Sequence, residues 1–307
     1  MGTADPADRA ESSEDDLDRI LHRFAEFARS SVPEIFSGPK LPRVAGLPRC
    51  RGMEASKTIS LSRCGPGGPQ PTSDRVAVEE PLEIRLDGHP VAVLMRTPGD
   101  DEELAAGFLL TEGIISKRSE LRKIEPRADE NRVLIFLEDG VAVDLGRLTR
   151  HLFTGSSCGL CGKATLEAIF TDSPPISGRV AVSDEAILGA PGKLRAAQGT
   201  FEATGGLHAA GIFSTSGELL FVREDIGRHN AVDKVIGHAL LEGIDISGSF
   251  LLVSGRLSFE ILQKALAARI PVVAGISAPS SLAVEFARKS GQTLIGFLRP
   301  PTFNRYE

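Results

Sequence analysis

Tryptophan is absent from the 307-residue chain, and tyrosine occurs once, at Tyr306. Surfaces that stack successive bases or cage a quaternary cation are built from such rings, so neither is expected. The fifteen phenylalanines carry nearly all the aromatic content and read as core. An excess of basic charge is also missing: the formal net charge is −6, which argues against general nucleic-acid binding. No apolar stretch reaches the roughly 18 residues of a membrane span. The acidic start, with Asp5, Asp8, Glu11 and Glu14, has no basic segment ahead of an apolar one, as a secretory leader would. The expected compartment is the cytoplasm, with neither nucleic acid nor membrane as partner. Neither a Walker A sequence nor a G-x-G-x-x-G fingerprint occurs, which sets aside ATPase and dinucleotide-dehydrogenase readings.

Cysteine is scarce, and its placement is the most informative feature present. Four cysteines are too sparse for a disulfide framework in a chain of this length. Cys158 and Cys161 stand in Gly155-Ser156-Ser157-Cys158-Gly159-Leu160-Cys161-Gly162, directly before the apolar run that starts at Ala164. Glycines let the backbone turn tightly and leave the sulfurs reachable. A helix starting near Lys163 would put Cys161 at its N-terminal end, where unpaired N–H groups and Lys163 favour the thiolate. A structural zinc site wants four ligands, commonly two close pairs, whereas Cys50 and Cys64 lie far apart; no metal is expected. The pair reads as a working, reduced dithiol.

A composition of 41% hydrophobic and 25% charged residues is globular, with length for one large domain or two ordinary ones. Residues 1–72 read as an N-terminal extension. Leu17, Ile20, Leu21, Phe24 and Phe27 recur at helical spacing over about 14–30, and residues 38–71 are basic, Pro/Gly-rich and without a period, which reads as linker. Residues 73–150 read as a smaller β-rich domain. Its runs are Arg75–Glu79, Leu82–Leu86 and Val91–Arg96, the last two joined by Asp87-Gly88, then a helix after Asp100. A second hairpin is expected from Val133–Leu137 and Val141–Leu145. Residues 151–175 hold the thiol loop and a short helix. Over 176–307 helix and strand alternate, which predicts a three-layer α/β/α domain with a mainly parallel mixed sheet and one antiparallel hairpin.

Within this last domain, polar residues gather where strands end and helices begin. In Glu224-Asp225-Ile226-Gly227-Arg228-His229-Asn230-Ala231-Val232-Asp233-Lys234, Arg228 and His229 fall in a first helical turn suited to phosphate, and Asp225 is placed to accept from a base or ribose. The alternative is a local ion-pair network of Asp225 or Asp233 with Arg228. Ser254-Gly255-Arg256 repeats the design, Arg256 supplying a fork of donors for phosphate, and Ser277-Ala278-Pro279-Ser280 does so again. Three such strand ends outline one crevice for a nucleotide-like ligand. His208, alone at a strand start, reads as structural. The H-x-E and P-C-x-x-C signature of zinc deaminases is not met, because Ala210 and Ser157 stand where its Glu and Pro would be.

Cys158-Gly159-Leu160-Cys161-Gly162, the segment from Glu224 to Lys234, Ser254-Gly255-Arg256 and the closing Leu294-Ile295-Gly296-Phe297-Leu298-Arg299 occur in this order. Together they resemble the FdhD/NarQ family of sulfur carriers required for formate dehydrogenase activity, over about residues 73–306. The resemblance implies an α/β domain like that of cytidine deaminase, without its zinc chemistry, in a homodimer. It implies a cysteine desulfurase as sulfur donor and a persulfide on Cys158, with Cys161 as second thiol. The implied acceptor is the molybdenum (or tungsten) bis-pterin guanine dinucleotide cofactor, sulfurated before insertion into its client, formate dehydrogenase. The family's cofactor-contacting segment falls on Phe297, Leu298, Arg299, Pro300, Pro301 and Thr302. Members often carry a Gly-containing pair and a basic residue where this chain has Pro300-Pro301 and Thr302, and proline removes a backbone donor. Rival readings of the thiol pair are a thiol–disulfide redox protein and a nucleotide-binding redox sensor.

Overall fold

The computed structural model describes residues 54–141, 143 and 173–306. The expected helix at 14–30, Cys50, Cys158 and Cys161 lie outside the described residues.

The described chain opens with a hairpin where a linker was expected. Strands β1 (Ser56–Arg63) and β2 (Gln70–Ala77) pair antiparallel, from Ser56 opposite Ala77 to Arg63 opposite Gln70. Only Ser56 of β1 is buried; its apolar alternation is limited to Ile59 and Leu61, which stay exposed or partly exposed, too short a run to mark a strand in sequence. The backbone ladder and contact with the helix at Gly199–Thr204 hold it instead.

Strands β3 (Glu80–Leu86) and β4 (His89–Arg96) are joined at Asp87-Gly88, both at positive φ as a tight hairpin turn requires. Helix α1 (Asp101–Thr111) follows, then β5 (Leu121–Arg127) and β6 (Arg132–Leu137). The four strands form a sheet in the order β4-β3-β6-β5. Leu82, Ile84 and Leu86 of β3 and Val133, Ile135 and Leu137 of β6 are buried at alternate positions, the period of a sheet covered on one face. The expected hairpin at 133–145 is corrected in part: β6 takes its antiparallel partner from upstream, in β5, and parallel pairing from β3. Positions 142, 144 and 145 lie outside the described residues.

The larger unit runs α2 (Asp184–Ala197), α3 (Gly199–Thr204), β7 (His208–Phe213), β8 (Leu219–Asp225), α4 (Arg228–Glu242), β9 (Phe250–Val253), α5 (Phe259–Ala267), β10 (Val272–Gly275), α6 (Ser281–Ser290), β11 (Thr293–Arg299) and β12 (Thr302–Tyr306). Ser183 caps α2 as its sequence predicts, its hydroxyl accepting from Ala186 N–H at 3.2 Å. The six-stranded sheet has the order β12-β11-β10-β9-β7-β8. Strands β8, β9, β10 and β11 run one way; β7 and β12 run the other. Ile187, Ala190 and Leu194 of α2 pack on one face with Phe213, Phe250 and Leu298. Helices α4, α5 and α6 cover the other face, completing three layers, the mixed α/β architecture expected, with two antiparallel hairpins, β7–β8 and β11–β12, where one was expected.

The boundary drawn near residue 150 does not divide the hydrophobic core. One cluster joins Leu82, Ile84, Val133 and Leu109 of the β-rich part to Val232, Ile236, Leu262 and Val273 of the α/β part. Helix α1 lies directly on α4, and the two cross at glycines. A Cβ on Gly107 would overlap the Asp233 carbonyl oxygen and stand 2.9 Å from the Gly237 nitrogen. Only glycine permits that approach.

Candidate functional site at the carboxyl edge of the sheet

Strand direction brings the predicted residues together. Because β8 to β11 are parallel, their carboxyl ends share one edge of the sheet, and antiparallel β7 and β12 begin there. That edge carries His208, the turn Asp225–Arg228, Ser254–Ser258, Ser277–Ser280 and the β11–β12 turn. The loops are tied to one another. Leu257 N–H donates to the Ala278 carbonyl at 3.1 Å, Ser280 N–H to the Leu257 carbonyl at 2.9 Å and Phe297 N–H to the Ser277 carbonyl at 3.0 Å. Ligands of open α/β sheets bind at such an edge.

The segment from Glu224 to Lys234 divides into residues that build the turn and residues that face outward. Glu224 caps α3, accepting from Thr200 N–H at 2.9 Å and Phe201 N–H at 2.7 Å. Asp225, expected to accept from a base or ribose, is fully buried, and its acceptor positions are taken. One carboxylate oxygen accepts from Gly227 N–H at 2.8 Å and the Asn230 amide at 2.9 Å. The other accepts from Thr97 N–H at 3.2 Å and meets Lys234 Nζ at 2.8 Å. The expectation of direct ligand contact is corrected: Asp225 clamps the β8–α4 turn and fixes where Arg228 emerges. The alternative pairing with Arg228 is corrected as well, since Asp225 pairs with Lys234 and Asp233 with Lys264 Nζ at 3.0 Å.

His229 is mostly covered, its Nε2 3.3 Å from Ser258 Oγ and 3.9 Å from a Glu260 oxygen. Burial first, then the charges of Arg228 and Lys264, push its imidazole down to about 3, against an opposing effect of Glu112. It is a neutral link between α4 and the start of α5. Arg228 is half-buried and Arg256 exposed at the same edge.

The C-terminal segment forms the β11–β12 turn, with Arg299 opposite Thr302 and Pro300-Pro301 between them. Phe297 sits at a bulge with φ 50°, the left-handed region, and is 42% exposed. Bulges re-aim side chains in this manner. Arg299, Pro300, Pro301 and Thr302 are exposed, whereas Leu298 is fully buried against the α2 layer. Contact through the Leu298 side chain is therefore corrected; its place is the core. Arg305 is held by Asp184 at 3.0 Å.

Sequence reasoning missed His208 as a member of this edge. The signal was available in topology alone: a strand antiparallel to its neighbours starts where they end. An open depression lined by Gly113–Lys117, Glu120 and Asp139–Val141 lies beyond α1 and beside β5, and contains none of the predicted site residues. No helix among the described residues is long and apolar enough to cross a membrane.

Fold and edge together define a three-layer α/β protein whose strand-end loops carry Arg228, Arg256 and Arg299 along one edge of the sheet. Residues 77–307 match the FdhD/NarQ family. Relatives include the sulfur carrier protein FdhD of Streptomyces avermitilis, 50% identical over 249 residues that cover 76% of this chain and 87% of that protein. The sulfur carrier protein FdhD of Sulfolobus acidocaldarius is 42% identical, covering 81% of this chain and 96% of that protein. A crystal structure from Desulfotalea psychrophila, provisionally described as a formate dehydrogenase accessory protein, superposes with TM-score 0.67 at 27% identity, covering 83% of this chain and 97% of that one. The chain belongs to the FdhD/NarQ family.

Proposed function

We propose that this chain is a sulfur carrier serving formate dehydrogenase. It takes sulfane sulfur from a cysteine desulfurase as a Cys158 persulfide. It then passes the sulfur to a molybdenum or tungsten bis-pterin guanine dinucleotide cofactor, its substrate. The observation that carries this reading is family membership across residues 77–307, a span that contains both Cys158 and Cys161.

In loading, the Cys158 thiolate attacks the terminal sulfur of the donor's persulfide; a new S–S bond forms and the donor cysteine leaves as thiolate. Delivery as sulfide requires two electrons. Attack of the Cys161 thiolate on the Cys158 sulfur supplies them, expelling sulfide and leaving a Cys158–Cys161 disulfide for a cellular dithiol to reduce. The strand-end row supports the second half of the reading: Arg256 and Arg228 suit a diphosphate, and the exposed Phe297 ring suits a planar heterocycle. Two copies of the chain are taken to act together, in the cytoplasm.

Incubation with a cysteine desulfurase and radiolabelled cysteine tests this against the redox and sensor readings. Only a carrier acquires reducible label, and Cys158→Ala abolishes it while Cys64→Ala, a change at an exposed thiol, does not. Full restoration of formate dehydrogenase activity by Cys158→Ala in a carrier-deficient cell would overturn the reading.

A further inference from the structure

The least accounted-for group at the carboxyl edge is His208. As the first residue of β7 it stands between the ends of β8 and β9, the neighbours of β7 on either side. Its ring is packed against Gly255: a Cβ there would lie 3.3 Å from His208 Nδ1 and 3.5 Å from Arg228 Cβ. A side chain at position 255 would crowd the imidazole and meet Arg228 at ordinary contact distance. The ring is half-buried, and no described residue is hydrogen-bonded to its nitrogens. The imidazole therefore sits beside Arg228 and against the backbone that precedes Arg256, with donor and acceptor capacity to offer a ligand.

We propose that His208 completes an anion-binding corner with Arg228 and Arg256, donating a hydrogen bond to the diphosphate of the nucleotide ligand and taking up a proton when that ligand binds. The inference rests on the nucleotide-binding half of the proposed function. In the ligand-free protein, burial first, then Arg228 and Arg256, hold the imidazole below its usual range, so it is neutral near pH 7. Asp225 opposes them, but its carboxylate is already paired with Lys234. His229, a further titratable neighbour among the described residues, is neutral itself. A diphosphate seated on the two arginines cancels the positive field that keeps His208 deprotonated. Its proton affinity then rises, and binding strengthens as the pH falls from about 8 to about 6.

GDP-mannose is a suitable probe, because a diphosphate esterified at both ends does not titrate in this range. Calorimetry in two buffers of different ionisation enthalpy, at about pH 6, reads the proton count directly. Native protein is expected to take up a fraction of a proton per site. His208→Gln, which keeps a donor but cannot titrate, should lose that uptake. His208→Ala should bind about tenfold more weakly at pH 6, the size of one lost hydrogen bond to a charged group, with a smaller deficit at about pH 8. Native binding without proton uptake, or uptake unchanged in His208→Gln, overturns the role of His208 and leaves nucleotide binding standing. Failure of the native protein to bind at millimolar concentration overturns both.

Discussion

Gly107 of α1 and Gly237 of α4 meet backbone to backbone at the point where the two parts of the molecule join. A Cβ on Gly237 would stand 2.7 Å from both the Glu103 carbonyl carbon and the Gly107 nitrogen. Neither helix can yield without disturbing the other's hydrogen-bonded backbone. Gly107→Ala is accordingly expected to destabilise by about 1–3 kcal/mol or more through overpacking, despite the helix-favouring character of alanine. Urea unfolding should register it as a lower midpoint; an unchanged midpoint would contradict the close crossing.

The Asp225–Lys234 pair is buried on both sides, 2.8 Å apart, with Lys234 Nζ also donating to the Thr97 carbonyl at 2.9 Å. Removing one partner leaves the other's charge uncompensated. Lys234→Met should cost about 3–5 kcal/mol, and a double-mutant cycle with Asp225→Asn should give a strongly coupled, less-than-additive loss. Additive losses would show the pair to be energetically independent. Nucleotide affinity per folded molecule should also fall, since the clamp fixes where Arg228 emerges.

How far the sequence reveals this arrangement depends on the kind of interaction. Helix α4 is legible because Gly227 precedes it and its apolar residues recur, and β3–β4 because Asp87-Gly88 separates alternating runs. Hairpin β1–β2 is illegible because its alternation is limited to Ile59 and Leu61 and β2 has no large apolar residue before Val76, and β5 because Pro126 interrupts it. In the site, the place of Arg256 at the edge is legible, since a strand end followed by a helix implies it, whereas Phe297 enters only through the family resemblance, because β11 is followed by a strand. The roles of Asp225 and Leu298 are not legible: whether a residue faces ligand or core turns on tertiary partners such as Thr97, 128 positions from Asp225.

His229 gives the protein an acid-sensitive stability. Its folded value of about 3 lies below the 6.5 of an exposed histidine, so between these the unfolded chain binds the extra proton. Stability therefore falls as pH is lowered through that window, by at most about 1.4 kcal/mol per pH unit from this group. His229→Gln should flatten the decline in unfolding free energy between about pH 6 and pH 4. A decline as steep as that of the native protein would place the acid sensitivity elsewhere.

Arg256 and Lys289 separate a site charge from a merely basic surface. Arg256 is exposed at the carboxyl edge after β9, whereas Lys289 lies in the last turn of α6, at the opposite end of the sheet. For GDP titrated by calorimetry, Arg256→Ala should lose at least tenfold in affinity and Lys289→Ala should change little. Equal losses would mean that GDP responds only to overall charge.

The start of the described chain sets two truncations apart. Strand β1 begins at Ser56, and Val78 N–H donates to the Ala55 carbonyl at 2.9 Å, so removal of residues 1–52 spares the whole β1–β2 ladder and every hairpin contact among the described residues. Removal of residues 1–72 takes away β1 and strips β2 of its ladder partner. The shorter deletion is expected to leave folding and sulfur transfer intact, because a single short amphipathic helix builds no core of its own. The longer one should destabilise; a loss of about 2 kcal/mol would lower Tm by roughly 4–8 °C. Persulfide loading, client activation and thermal melting, compared with the full chain at equal concentration, read these outcomes. Loss of loading or activation in a folded chain lacking residues 1–52 would instead make Leu17, Ile20, Leu21, Phe24 and Phe27 a contact for the desulfurase or the client. An unchanged Tm after removal of residues 1–72 would mean that the hairpin adds nothing to the stability of the body it rests on.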